Sequence, residues 1–363
     1  YNNSLTSLDV SNNTALIDMN CQDNQLTSLD VSANTALTAL EAQGNQLTSL
    51  DVSSNTALNW FRCDNNQLTT LDVSNNTALW DLRCGNNQLT SLNVSSNTAL
   101  DILNCYSNQL TSLDVSINTA LTQLRFYSNQ ITEIDLSSNT AIGNLECGSN
   151  QLTSLDVSIN TALTSLACQN NQLTYLNMKN GLTEQVTDFN ATSNSLTCIE
   201  TLDPDYATAN WTLANGNIDA GVTFADICYA SNPDYTYVPD DNFEQALIDL
   251  DYDDVLDDYV LTANISGVTS LDVKEKEISD LTGIEGFTAL TNLHCEVNEL
   301  TSLDVSSNTA LTDLSCGHNE LTSLDVSSNT ALTYLDCNNN QLTSLDVSNH
   351  TALIHLQCYN NQL

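Results

Sequence analysis

The three arginines of this chain, Arg62, Arg83 and Arg125, are separated by 21 residues or a multiple of 21, and aromatic and acidic residues keep step with them. Trp60 and Asp64 lie two places either side of Arg62, Asp81 two before Arg83, Tyr127 two after Arg125, and Tyr106 falls in the interval. On an extended chain, residues two apart share a face. Trp60, Arg62, Asp64, Asp81, Arg83, Tyr106, Arg125 and Tyr127 therefore form one candidate ligand-binding patch of guanidinium, carboxylate and aromatic groups, which are common in binding hot spots and saccharide sites. The plainer alternative pairs Glu41 with Arg62 and Arg125 with Glu146 across strands, as surface ion pairs that need no ligand.

A second chemical column is acidic. Asp9, Asp30, Asp51, Asp72, Asp114, Asp135 and Asp156 recur, each two residues before a serine and most two after one, and Asn93 interrupts them. Carboxylates about 5 Å apart repel by roughly 1 to 3 kcal/mol per neighbour, so something must offset them. Ser and Thr hydroxyls, water and monovalent ions are one answer; calcium held by Asp30, Asp51 and Asp72 is the other, and no other cofactor is called for. The run Asp249, Asp251, Asp253 starts like a calcium loop, but Asp254 stands where the glycine belongs and Val260 where the glutamate belongs. His294, His318, His350 and His355 form no nucleophile-and-base pattern with Ser or Cys, so the chain reads as non-catalytic.

These columns exist because the sequence repeats. A block opening at Leu16 returns at Leu37, Leu58, Leu79, Leu100, Leu121, Ile142 and Leu163, and again at Leu290, Leu311, Leu332 and Leu353, with a period of 21. Each block has two halves, with apolar residues at the first, fourth and sixth places of a half, Asn at the ninth and Leu near the eleventh. The alternation in LxC and LDV predicts a short strand in each half, its fourth and sixth residues inward. Coils stacked about 4.8 Å apart would bury a continuous ribbon that one coil cannot bury alone. The expected fold is a β-rich solenoid of the leucine-rich-repeat class, with short parallel strands on two sides of each coil and little helix beyond one cap helix.

Ten of the 12 cysteines (Cys21, Cys63, Cys84, Cys105, Cys147, Cys168, Cys295, Cys316, Cys337 and Cys358) take the inward sixth place, where stacked parallel strands do not offer disulfide geometry. They read as buried thiols. Cys198 and Cys228 fall outside the register, and either a disulfide or two separate thiols is open for them. The expected organisation is a stack over 1–197, a closing cap over 198–230, a linker over 231–238, a helical opening cap over 239–289 and a second stack over 290–363. Pro239, Asp240 and Asp241 ahead of Phe243, Ala246, Leu247 and Leu250 give that second cap its helix start.

Segments such as NQLTSLDVSNNTAL resemble the 21-residue leucine-rich repeats of proteins secreted by Bacteroidetes-type bacteria, and the resemblance covers nearly the whole chain. The middle is similar too: FNATSNSLTCIETLDPDYATANW is like the segment closing such arrays, and YVPDDNFEQALIDLDYDDVLDDYVLTANISGVTSLDV like the one opening them. The resemblance implies secretion and use at the cell surface or outside the cell. It implies no particular ligand.

Composition narrows the partners. Asp and Glu number 45 against 6 Lys and Arg, a formal net charge of −39, which repels polyphosphate and disfavours nucleic acid or docking on an anionic membrane. No run approaches the roughly 18 to 20 apolar residues of a membrane-spanning helix. The leading expectation is an extracellular or cell-surface adhesion scaffold that binds a glycan or protein through its variable face. Its rival is a filament subunit, since regular half-coils stand at residue 1 and residue 363, where head-to-tail self-association would complete a coil.

Overall fold

The structure, a computed structural model, describes residues 3–181, 183–228 and 232–363. It divides into two units, Tyr1–Ser231 and Asn232–Leu363. In the first, each repeat contributes a three-residue strand from its first half. Nine of these form one parallel sheet, from Asp18–Asn20 through Trp60–Arg62, Asp81–Arg83, Ile102–Asn104, Gln123–Arg125 and Asn144–Glu146 to Asp188–Asn190. Register advances by one repeat per strand, so Trp60 pairs with Asp81 and Phe61 with Leu82. The central residue of each strand points inward: Leu40, Phe61, Leu82, Leu103, Leu124 and Leu145 are fully buried. Each such side chain contributes about 1.5 to 3 kcal/mol on burial. The second unit repeats the design in a five-stranded parallel sheet from Ser270–Asp272 to His355–Gln357.

Asparagines fix both corners of the coil, by two different bonding patterns. At the sheet-side corner Asn87 donates through Nδ2 to the Cys84 carbonyl of its own coil and the Cys63 carbonyl of the preceding one, both at 3.1 Å, while its Oδ1 accepts the Leu68 N–H at 2.9 Å. The residue before it, at the eighth place, is left-handed in every coil: Asp23, Gly44, Asn65, Asn86, Ser107, Ser128, Ser149 and Asn170 all have φ between 49° and 67°. Gly, which has no β-carbon, and Asn, Asp and Ser, whose short polar side chains can bond locally, suit that conformation. At the opposite corner Asn76 donates to Val52 and Asn55 carbonyls at 3.1 and 2.8 Å, but its Oδ1 accepts nothing from the protein.

The expected β-solenoid of stacked parallel strands with little helix is observed, and one detail is corrected: strands do not line both sides of every described coil. Among the described residues, the LDV side forms a four-stranded sheet at the end of the first unit, of Ser154–Asp156, Tyr175–Asn177, Cys198–Glu200 and Thr223–Ala225, and a single parallel bridge between Asp304 and Asp325 in the second. Elsewhere the LDV segment is extended and turns at once, with the Asp side chain taking the N–H two residues on: Asp30 Oδ1 accepts Ser32 N–H at 2.9 Å, and Asp51 and Asp72 do likewise with Ser53 and Ser74.

The core of the first unit closes on a cap in which Trp211 packs between Phe189 and Phe224, at ring distances of 4.4 and 5.9 Å. This cap holds a helix, Pro204–Asn210, beyond the single cap helix expected; Asp203 caps it by accepting the Tyr206 N–H, and proline starts it. Cys198 and Cys228 are joined in a disulfide with Cα atoms 5.8 Å apart. The other ten thiols are free, all buried except the half-buried Cys358.

In the second unit the opening helix, Asp241–Asp249, buries Phe243, Ala246 and Leu247, and its cap Asp240 also accepts the N–H groups of Ser279 and Asp280. A short turn of helix follows at Thr262–Ile265. Residues 231–238, expected as linker, are corrected in part: Tyr235–Tyr237 pairs antiparallel with Tyr259–Leu261, and Val238 is fully buried. Thr236 and Val238 alternate inward, which makes the segment part of this unit's core. Residue 231 itself lies outside the described residues.

Candidate functional site

The outward residues of the first unit's sheet are the third and fifth of each repeat, with the seventh at its margin. Strand pairing lines up Trp60, Asp81 and Ile102 in one column and Arg62, Arg83 and Asn104 in the next. Two like-charged guanidiniums thus stand on adjacent strands, and each is held by carboxylates. Arg83 forks onto Asp81 of its own strand, with Nε 2.9 Å from Oδ1 and Nη2 2.9 Å from Oδ2. Asp81 is only 1% exposed, so its charge is matched by that guanidinium alone at close range. Arg62 is looser, 3.7 Å from Glu41 and 3.9 Å from Asp64, and its Nε donates no hydrogen bond.

Asp64 is 7% exposed; one carboxylate oxygen accepts from Asn65 at 2.9 Å and the other accepts nothing from the protein. Burial pushes its carboxyl pKa up, and nearby Arg62 offsets this in part. The next repeat carries Gly85 at the equivalent place. A β-carbon there would lie 2.6 Å from the Tyr106 ring, so glycine is what lets that ring lie down towards Asp64. Tyr127 stacks on Tyr106 at 4.7 Å and 5° between planes. Burial raises the Tyr106 phenol, and Asp64 raises it further.

The eight sequence-identified residues thus fall into two groups, since Trp60 and Arg125 lie three strands apart, about 14 Å. One comprises Trp60, Arg62 and Asp64; the other comprises Tyr106, Tyr127 and Arg125, the last bound to Glu146 at 2.9 Å. Asp81 and Arg83 bridge the interval. Sequence reasoning missed Trp80, which sits at the second place, outside the alternation; its ring meets Trp60 edge-on at 5.5 Å and 76°, and 36% of the residue is exposed. Its signal was its size, an indole at a place where most repeats carry Thr or another small or polar residue.

On the turn side Asp30, Asp51 and Asp72 are exposed, and their carboxyls are held below the ordinary 3.8 first by the Ser32, Ser53 and Ser74 hydrogen bonds. Asn93 makes the same bond to Ser95 at 2.9 Å, so the shared requirement of this column is an oxygen for the turn, met with or without charge. Among the described residues, the acidic groups whose oxygens come within 4.8 Å of one another are Asp241, Glu244 and Asp258 in the second unit. There Glu244, 1% exposed, braces the loop by accepting the N–H groups of Asp257 and Tyr259 at 2.9 and 3.1 Å. The histidines serve the frame or its surface: His350 replaces a corner asparagine, 3.0 Å from the Val326 carbonyl, and His294 lies 3.7 Å from Asp313.

A family model described as leucine-rich repeats in two copies matches residues 309–350. Internalin J of Listeria monocytogenes serotype 4b (strain F2365) is 38% identical over 72 residues, which is 20% of this chain and 8% of that protein. Among solved structures, the functional domain of InlJ from Listeria monocytogenes, described as including a cysteine ladder, is similar at 32% identity and a TM-score of 0.49, over 99% of this chain and 66% of that one. A leucine-rich-repeat protein of Leptospira interrogans aligns at 18% identity and a TM-score of 0.48, over 99% and 95%. Residues 309–350 thus match leucine-rich repeats, and the stacked parallel coils of both units have the β-solenoid fold of that class.

Proposed function

We propose that this chain is a non-catalytic recognition scaffold working outside the cell, with its ligand, a protein or a glycan, seated on the sheet face of the first unit. The observation that carries this reading is the contrast between a constant frame and variable outward places, where Trp60, Trp80, Tyr106 and Tyr127 gather within a few coils. Aromatic side chains with partly exposed faces supply contact area at little entropic cost. The Cys198–Cys228 disulfide supports an oxidising location.

The test is retention on an array of glycans and extracellular-matrix proteins. Trp80→Ala with Tyr127→Ala should reduce retention by at least about tenfold, as loss of hot-spot aromatics does. Asp51→Asn, on the turn side, should not. Both aromatics are partly exposed, so the fold survives their truncation. Equal retention by the double variant overturns the reading.

A further inference from the structure

We infer that the sheet face of the first unit takes a basic protein segment, extended, with Lys or Arg side chains laid against Trp80 and the Tyr106–Tyr127 pair. This rests on the recognition reading above and names the partner's chemistry.

Charge supplies the first argument. The three guanidiniums on this face are each engaged by a carboxylate: Arg62 by Glu41 and Asp64, Arg83 by Asp81, Arg125 by Glu146. They offer little to an anion. Counting these groups alone, three cations face four anions, so the patch is close to neutral and slightly negative. It belongs to a chain of net charge −39, whose field concentrates cationic partners and repels anionic ones.

Geometry supplies the second. Asp64 is more than nine-tenths buried beside the Tyr106 ring, with one oxygen free of any hydrogen bond from the protein. Its buried charge adds negative potential behind the stacked rings, whose faces attract an incoming ammonium or guanidinium. Trp80 and Tyr127 lie two coils and five places apart, roughly 19 Å, a distance spanned by about six extended residues. Two basic side chains about six residues apart would meet both.

The probes are fluorescein-labelled Gly/Ser peptides, one carrying two arginines about six residues apart, one with two glutamates at the same places and one uncharged, followed by anisotropy against the whole chain. The arginine peptide should bind more tightly than the other two and weaken as sodium chloride rises from about 0.05 to 0.3 M. Trp80→Ala and Tyr127→Ala, neither of which changes charge, should each weaken it by about three- to tenfold. Asp51→Asn, which removes one carboxylate from the other side of the coil, should leave it unchanged.

Equal loss in Asp51→Asn and Tyr127→Ala would reduce the effect to a general attraction of polycations to an acidic chain and overturn the inference. So would an uncharged peptide that binds as well. If the aromatic variants abolish array retention while the arginine peptide fails to bind, the recognition reading stands and the basic partner is wrong.

Discussion

The sheet side and the turn side of one coil are built from similar letters and behave in opposite ways. On the sheet side the backbone is held by its neighbours' backbones, as in the pairing of Trp60–Arg62 with Asp81–Arg83, and an outward side chain braces the turn in only some coils, as Asn20 and Asn190 do. Those places vary. On the turn side the outward Asp is itself a structural part, accepting the N–H of the serine two residues on, so the same place is nearly constant from Asp9 to Asp156. Freedom to encode recognition follows from where the hydrogen bonds are made.

The largest test of that contrast is at the corners. Asn87 engages four backbone groups and Asn76 two, so Asn87→Ala should cost about 4 kcal/mol and Asn76→Ala about 2, at roughly 1 to 3 kcal/mol for each buried group left unpaired. Denaturant unfolding monitored on the first unit reads the difference. Equal costs would mean that the two corners are not distinct.

The next test uses pH, because the two sides should limit stability at opposite ends. Burial raises the sheet-side thiols from the ordinary 9.0, to about 11 at Cys21 and about 12 at Cys105 and Cys168. They hold protons more tightly folded than unfolded, so their contribution is complete below pH 9 and is lost as pH rises towards about 12. The turn-side carboxyls of Asp30, Asp51 and Asp72 lie below the ordinary 3.8, so theirs is present above that value and lost as pH falls through it. Thermal unfolding of Cys105→Ala should show a flatter alkaline limb, and Asp51→Asn a flatter acid limb. A change on the wrong limb breaks the assignment.

A smaller effect is expected at the eighth place, where the second unit departs from the first. Val297 sits at φ 58°, exposed, where the first unit's coils carry Asp, Gly, Asn or Ser. Val297→Asn should raise stability by about 1 kcal/mol by relieving a β-branched side chain from a left-handed backbone. An unchanged denaturation midpoint would show that this corner tolerates the strain.

Much of this frame was legible because a 21-residue period fixes which residues share a column, and inward Leu, Val and Cys follow from it. The helix Asp241–Asp249 was legible from Asp240 and the spacing of Phe243, Ala246 and Leu247. Three residues of alternation in LDV, however, fit a strand and an extended turn equally, and the Asp-to-Ser bond is made in both, at Asp51 and in the paired strand at Asp156. The helix Pro204–Asn210 did have a signal, Asp203 before Pro204, hidden by its position inside a segment read only as irregular. Trp80 was passed over because its side chain reaches the face from outside the alternating places, and Tyr235–Tyr237 because its partner strand lies over 20 residues on.

The smallest expected effect concerns calcium on the acidic column. Were calcium to bridge Asp30, Asp51 and Asp72, it would bind the folded chain alone and raise the melting temperature by mass action. Each of these carboxylates already accepts a serine N–H, and Asn93 fills the same role with no charge, so the column has a structural reason to exist that calls for no ion. Sodium screens the repulsion between neighbouring coils as readily as any cation does at the same ionic strength. Melting curves in calcium chloride and sodium chloride at matched ionic strength should therefore superimpose for the wild type. A calcium-specific rise that disappears in Asp51→Asn would overturn that and make the turn side a binding surface in its own right, leaving the sheet side without its monopoly on function.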